Sequence, residues 1–222
     1  MTIEIIPAIL PKDFAEVTEK VELIKGFTKI VQIDICDGQF VQNATWPYRK
    51  HDDNFDRILR EEEGLPGWEA LNYEFDLMVN RPEEIVDEWV RAGAARIILH
   101  AEAKGDIAAA IVRLAGVVEI GLALDIESGM EILELHHEKL QFVQCMGIDN
   151  VGFQHQAFDD KVVDKVKLIK ERYPGLRVSV DGGVSLETAP RLIKAGADRL
   201  VVGSAIFGAD NPIDALSHFR AL

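Results

Sequence analysis

Short β-branched runs alternate with amphipathic stretches along the whole chain. Eight runs read as strands: Glu4–Ile9, Lys29–Asp34, Tyr73–Met78, Arg96–His100, Glu119–Leu124, Phe142–Met146, Arg177–Val180 and Arg199–Val202. Between and after them, segments 13–25, 54–63, 83–92, 106–115, 128–135, 159–172, 186–195 and 211–220 carry the helical pattern. Several strands are near-continuous apolar runs, such as IGLAL and LVV, which suits a parallel sheet covered on both faces. Asp13 precedes Phe14 as an N-cap, Pro82 follows Asn80-Arg81 at a helix start, and Ser185 stands three residues before Thr188. Gly93 in RAGAARI and Gly196 in KAGADRL mark one helix-to-strand connection used twice. Eight β-then-α units with right-handed crossovers close into a (β/α)8, or TIM, barrel. An open doubly wound sheet is the alternative, and the strand count and length favour the barrel.

Composition narrows the picture. The 222 residues suit one barrel domain spanning 1–222. A formal net charge of −14 argues against nucleic acid and against an anionic membrane surface, because both call for clustered Lys and Arg. It leaves room for a small anionic ligand held by a local site. The two cysteines, Cys36 and Cys145, sit in strand-like apolar runs and read as small buried hydrophobes. The N-terminal segment lacks a basic start and a long apolar stretch, so the expected location is cytoplasmic.

In a TIM barrel the functional groups stand at the C-terminal ends of the strands. Strand periodicity puts Gln32 and Asp34 on one face. If that face is the interior, Gln32, Asp34, Asp76 and Asp181 converge. Inward carboxylates are costly unless paired or bound to a cation. The pairs Gly182-Gly183 and Gly203-Ser204 follow the last two strands, where exposed backbone N–H groups can hold a phosphate. The segment Gly152-Phe153-Gln154-His155-Gln156 follows the sixth strand. His100, at the fourth strand end, reads equally as a satisfied rim histidine and as a ligand. The pair His136 and His137 reads as surface.

These residues resemble one family. IIPAILPKDF, VQIDICDGQFVQN, FDLMVNRPEE, AGAARIILHAEA, VSVDGGVSLETAPRLIKAGAD and LVVGSAIFG occur in the order found in ribulose-phosphate 3-epimerases. The resemblance implies a metal-assisted epimerisation of a phosphorylated ketose. One aspartate removes the C3 proton and another reprotonates the opposite face. By position these are Asp34 and Asp181. The implied metal ligands are Gln32, Asp34, Asp76 and Asp181. The implied phosphate site is Gly152, Gln154, His155, Gly182, Gly183, Gly203 and Ser204. A homo-oligomer is also implied.

The departures carry information. Gln32 and Asp76 stand where the family has histidines, Ala8 where it has a serine, and Cys36 where it has a methionine. Gln154 and His155 replace glycines, and an extended insertion occupies about 43–72, where Trp46, Tyr48 and Trp68 are expected to pack it down or form a subunit interface. An all-oxygen ligand set favours Mg or Mn over Zn or Fe. Three carboxylates around one dication leave a charge of −1, which raises one aspartate's pKa; with no metal at least one aspartate is protonated. The alternative functions are a non-catalytic sugar-phosphate-binding barrel that has lost its metal, and a related sugar-phosphate lyase or decarboxylase. The second is weakened because no lysine follows Asp34 in the second strand.

Overall fold

The computed structural model describes residues 3–50 and 53–222. Eight parallel strands pair in chain order and β8 closes back on β1. They are β1 (Glu4–Ile9), β2 (Ile30–Cys36), β3 (Asn72–Met78), β4 (Ala94–His100), β5 (Glu119–Leu124), β6 (Phe142–Met146), β7 (Arg177–Asp181) and β8 (Arg199–Val202). This is the expected (β/α)8 barrel. Strand β2 runs two residues further than its pattern suggested, because Ile35 and Cys36 continue the apolar alternation.

The helices are α1 (Phe14–Ile24), α2 (Asn54–Leu59), α3 (Val86–Arg91), α4 (Ile107–Leu114), α5 (Glu131–His136), α6 (Lys161–Arg172), α7 (Ala189–Ala195), α8 (Ser204–Phe207) and α9 (Pro212–Arg220). Most are shorter than their patterns. The segment expected as 54–63 ends at Leu59, and Glu61 takes a left-handed φ of 60°. The start of 83–92 is a 3-10 turn, Pro82–Glu84, before α3 begins. The short α8 was not anticipated. Among the described residues, no helix is long and apolar enough to cross a membrane.

The caps follow the sequence. The Asp13 carboxylate accepts the Glu16 amide at 2.9 Å and starts α1. Ser185 and Thr188 exchange bonds ahead of α7: Thr188 Oγ1 accepts from the Ser185 amide at 2.9 Å, and Ser185 Oγ from the Thr188 amide at 3.2 Å. Gly93 and Gly196, with φ of 101° and 109°, make the two matching turns into β4 and β8. Asp13→Ala will cost about 1 kcal/mol in urea unfolding, the usual worth of such a cap.

Alternation along the strands divides the core. One face of each strand packs outward on the helices, with Ile33, Phe75, Leu77, Leu99 and Leu122 buried there. The segment 43–72 seals part of this layer. Trp46 is buried, with ring centroids 5.2 Å from Phe14, 5.5 Å from Phe55 and 6.1 Å from Trp89. Trp46 thus packs its segment down, while Trp68 and Tyr48 are exposed. Both cysteines are buried and free.

The inward face holds Cys36, Met78, Ile98, Ala123, Phe142 and Met146. At the N-terminal end it is ionic. Glu74 and Arg199 pair there, both buried, and Arg199 also reaches Glu4 at 3.2 Å. Arg96 bonds Glu4 at 3.1 Å and Glu119 at 2.9 Å, and Arg177 meets Glu119 at 2.8 Å. Three acids and three arginines thus close the floor. The Arg199 guanidinium lies 3.8 Å from the centroid of the Phe142 ring. Gly121 makes room for that ring, since a Cβ there would stand 2.3 Å from it.

Candidate functional site

Above this floor the interior turns acidic. Register places Asp34 directly beside Asp76 across the β2–β3 pair. Asp181 ends β7. One carboxylate oxygen from each of the three lies within 4.8 Å of the other two. Gln32, fully buried, sits between two of them. Its Nε2 donates to Asp34 Oδ1 and to Asp181 Oδ2, both at 2.7 Å. The structure therefore brings together all four residues expected to converge.

Three further polar residues complete the chamber. Gln144 on β6 donates to Asp76 Oδ2 at 3.1 Å and to Asp181 Oδ2 at 3.4 Å. Ser179 Oγ in turn donates to Gln144 Oε1 at 3.3 Å. His100 Nε2 stands 2.9 Å from Asp76 Oδ1, with both side chains fully buried. Sequence reasoning missed Gln144. Its signal was a lone amide in the run FVQCM, spaced by two from inward-facing Phe142 and Met146.

Burial dominates the electrostatics. It pushes Asp181 up to about 7, with Asp76 adding repulsion and the Gln32 amide working the other way. Burial likewise holds Asp34 well above the ordinary carboxylate range, and the charges of Asp181 and Asp76 add to it. The pair is therefore suited to sharing a proton. Burial pulls the His100 imidazole down, but the adjacent Asp76 carboxylate outweighs it and leaves the ring above the usual histidine value.

The chamber opens into a pocket at the C-terminal mouth. Asp34 and Asp181 form its base, and Gly152, Gln154, His155, Gly182, Gly183, Gly203 and Ser204 line its wall. Every residue expected at a phosphate site thus faces this pocket. Gly182 and Gly183 take left-handed φ of 96° and 66°. A Cβ would meet Ile148 at 2.8 Å from the first and Phe158 at 2.9 Å from the second, so backbone alone can line this turn. Asn43 Nδ2 donates to the Gly152 carbonyl at 2.8 Å and ties the loop after β2 to the loop after β6. Asp37, in the same loop, is structural: its carboxylate accepts the amides of Gln39, Phe40 and Asn80.

The donor set fits a divalent cation. Three carboxylates cluster beside Gln32, whose Oε1 is buried without a hydrogen-bond partner. An all-oxygen set of this kind suits a hard dication.

Fold and site together define a (β/α)8 barrel with clustered carboxylates toward the C-terminal ends of its strands. Comparison with known proteins narrows this class. Residues 4–207 match the model of the ribulose-phosphate 3-epimerase family. The ribulose-phosphate 3-epimerase of Bacillus subtilis is 32% identical over 98% of both chains. That of Schizosaccharomyces pombe is 31% identical over 98% of this chain and 92% of its own. This chain belongs to the ribulose-phosphate 3-epimerase family. Solved structures with the same fold include 3-hexulose-6-phosphate synthase, with TM-score 0.71, 19% identity and 99% coverage of each chain. Another is 3-keto-L-gulonate-6-phosphate decarboxylase from Vibrio cholerae, with TM-score 0.73, 12% identity, and 100% and 98% coverage of the two chains.

Proposed function

We propose that this protein is a divergent ribulose-phosphate 3-epimerase-type isomerase that inverts C3 of a ketose phosphate. The observation that carries the reading is the placement of Asp34 and Asp181. Both sit at the base of one pocket, linked through a single amide group, opposite a wall of glycine turns. A phosphorylated ketose held by that wall presents its carbon chain to both carboxylates.

The division of labour follows. The backbone at Gly182, Gly183, Gly203 and Ser204, with Gly152, Gln154 and His155, anchors the phosphate. Ionised Asp34 or Asp181 takes the C3 proton; the other, protonated, returns one from the opposite face. Their raised affinities let one be acid and the other base at the same pH. Gln32 holds the two carboxylates in register, and Gln144 and His100 hold Asp76. Asp34, Asp76 and Asp181, with Gln32 once its amide turns Oε1 toward them, would ligate a divalent cation of the Mg or Mn kind, which supplies Lewis-acid polarisation of the substrate carbonyl when bound.

Incubation with ribulose 5-phosphate in D2O tests the reading, with Mg, Mn or Zn added in turn. Deuterium should enter at C3. No C3 exchange with any of these metals, together with phosphate-dependent thermal stabilisation, would leave a binding barrel in place of an isomerase.

The acid pair also sets a pH dependence. Asp181 rises from 3.8 to about 7 on folding. Its contribution is therefore fully present below 3.8 and is lost as pH climbs through about 7. In chelator, wild-type protein should lose thermal stability relative to the Asp34→Asn/Asp181→Asn variant between about pH 4 and about pH 7. Added Mn(II) should stabilise the wild type increasingly over the same interval, because ionised carboxylates bind it. Differential scanning calorimetry of both proteins across the series reads the effect. Parallel stability curves for the two proteins in chelator would contradict it.

A further inference from the structure

A second cluster of ligand-type side chains lies beside this chamber, on β4 and in the loops after β4 and β5. One atom each of His100, Glu102 and Asp125 lies within 4.8 Å of the other two. Three polar atoms here are buried without any hydrogen-bond partner: His100 Nδ1, Glu102 Oε2 and Asp125 Oδ1. His100 Nδ1 and Glu102 Oε2 stand 4.0 Å apart, too far for a hydrogen bond.

The rest of each group is already held. His100 is fully buried and turns Nε2 toward Asp76 at 2.9 Å. With the proton on Nε2, the lone pair of Nδ1 faces the cluster. A carboxylate behind a histidine is the usual support of a metal-bound imidazole. Glu102 Oε1 accepts from the Asp125 amide at 2.9 Å and from Ser128 Oγ, which fixes where Oε2 lies. The nearby Lys165 ammonium donates to three backbone carbonyls, those of Asp125, Ile126 and Ser128. Its three N–H groups are thus occupied, and it makes no hydrogen bond to either carboxylate.

We propose that His100 Nδ1, Glu102 Oε2 and Asp125 Oδ1 form a second metal site, for a first-row dication of the Zn(II) or Mn(II) kind. One imidazole and two carboxylates match such an ion in ligand type and cancel its charge. Bonds of about 2.0–2.2 Å require the side chains to close in by roughly half an ångström each. None of the three residues lines the substrate pocket, and the Phe40 ring lies 5.1 Å from the His100 ring. The ion therefore does not touch substrate. It fixes the His100 tautomer, and through Nε2–H it holds Asp76 in place in the chamber.

Metal content tests this apart from catalysis. Untagged, chelator-stripped Asp34→Asn/Asp181→Asn protein, weakened at the first site, is equilibrated with Zn(II), and bound zinc is measured by mass spectrometry. One zinc per chain is expected. Adding Glu102→Gln and Asp125→Asn should weaken that binding at least tenfold, with circular dichroism reporting that the fold is intact. Glu102→Gln alone, an isosteric change, serves if the quadruple variant does not fold. A nitrogen NMR signal from His100 Nδ1 should shift on zinc addition. Absence of stoichiometric zinc in the Asp34→Asn/Asp181→Asn protein would overturn the site, as would zinc content indifferent to Glu102→Gln. Neither result bears on the epimerase reading, which C3 exchange decides.

Discussion

Asp34→Asn and Asp181→Asn will each lower kcat for C3 inversion by about 10³-fold or more, since each removes one partner of the proton transfer. Asparagine keeps the shape of the site, and its oxygen still accepts from the Gln32 amide that now joins the two carboxylates. Binding of the phosphorylated ketose should change little, because the glycine wall is untouched. Formation of the C3 epimer, read by NMR beside a direct binding titration, separates the two effects. Retention of a tenth of wild-type inversion by either variant would remove that residue from the proposed chemistry.

Glu74→Ala will destabilise the barrel by about 3–5 kcal/mol, the usual cost of leaving a buried charge without its partner. Arg199 is 1% exposed and stays in the floor with only Glu4, at 3.2 Å, to answer it. Exchanging both partners at once, Glu74→Leu with Arg199→Met, should cost much less, because no orphaned guanidinium remains. Urea unfolding of wild type, single and double variants gives the comparison. A single variant that loses less than about 1 kcal/mol would show that the floor relaxes or admits water around Arg199.

The barrel was legible because its signals are local. Apolar strands, a capping Asp13 and the twin turns at Gly93 and Gly196 each depend on a few neighbouring residues. The convergence of Gln32, Asp34, Asp76 and Asp181 followed from strand periodicity combined with the architecture, and the structure places them together. Two things were not legible. The ionic floor pairs Glu74 with Arg199 across 125 positions in sequence, and charged residues within apolar strands carry no local mark of their partners. Helix ends were overextended for a related reason. Segment 54–63 keeps its periodicity past Leu59, but the chain turns at Glu61, and the pattern does not record that turn. The sequence around His100 suits a rim residue and a ligand equally; only its fixed bond to Asp76 shows that one ring nitrogen is engaged and the other is not.

The ionic floor has a consequence for isotope traffic. With three arginines and three acids sealing one end beneath Phe142, the acidic chamber has its door at the other, the C-terminal mouth. Solvent hydrogen reaches Asp34 and Asp181 through the mouth that the substrate uses. While a ketose phosphate fills the mouth, a hydrogen lifted from C3 is stranded inside. It can return to the same molecule before the door reopens. Release of that hydrogen to solvent should therefore lag behind inversion, and the size of the lag measures how tightly the mouth is shut.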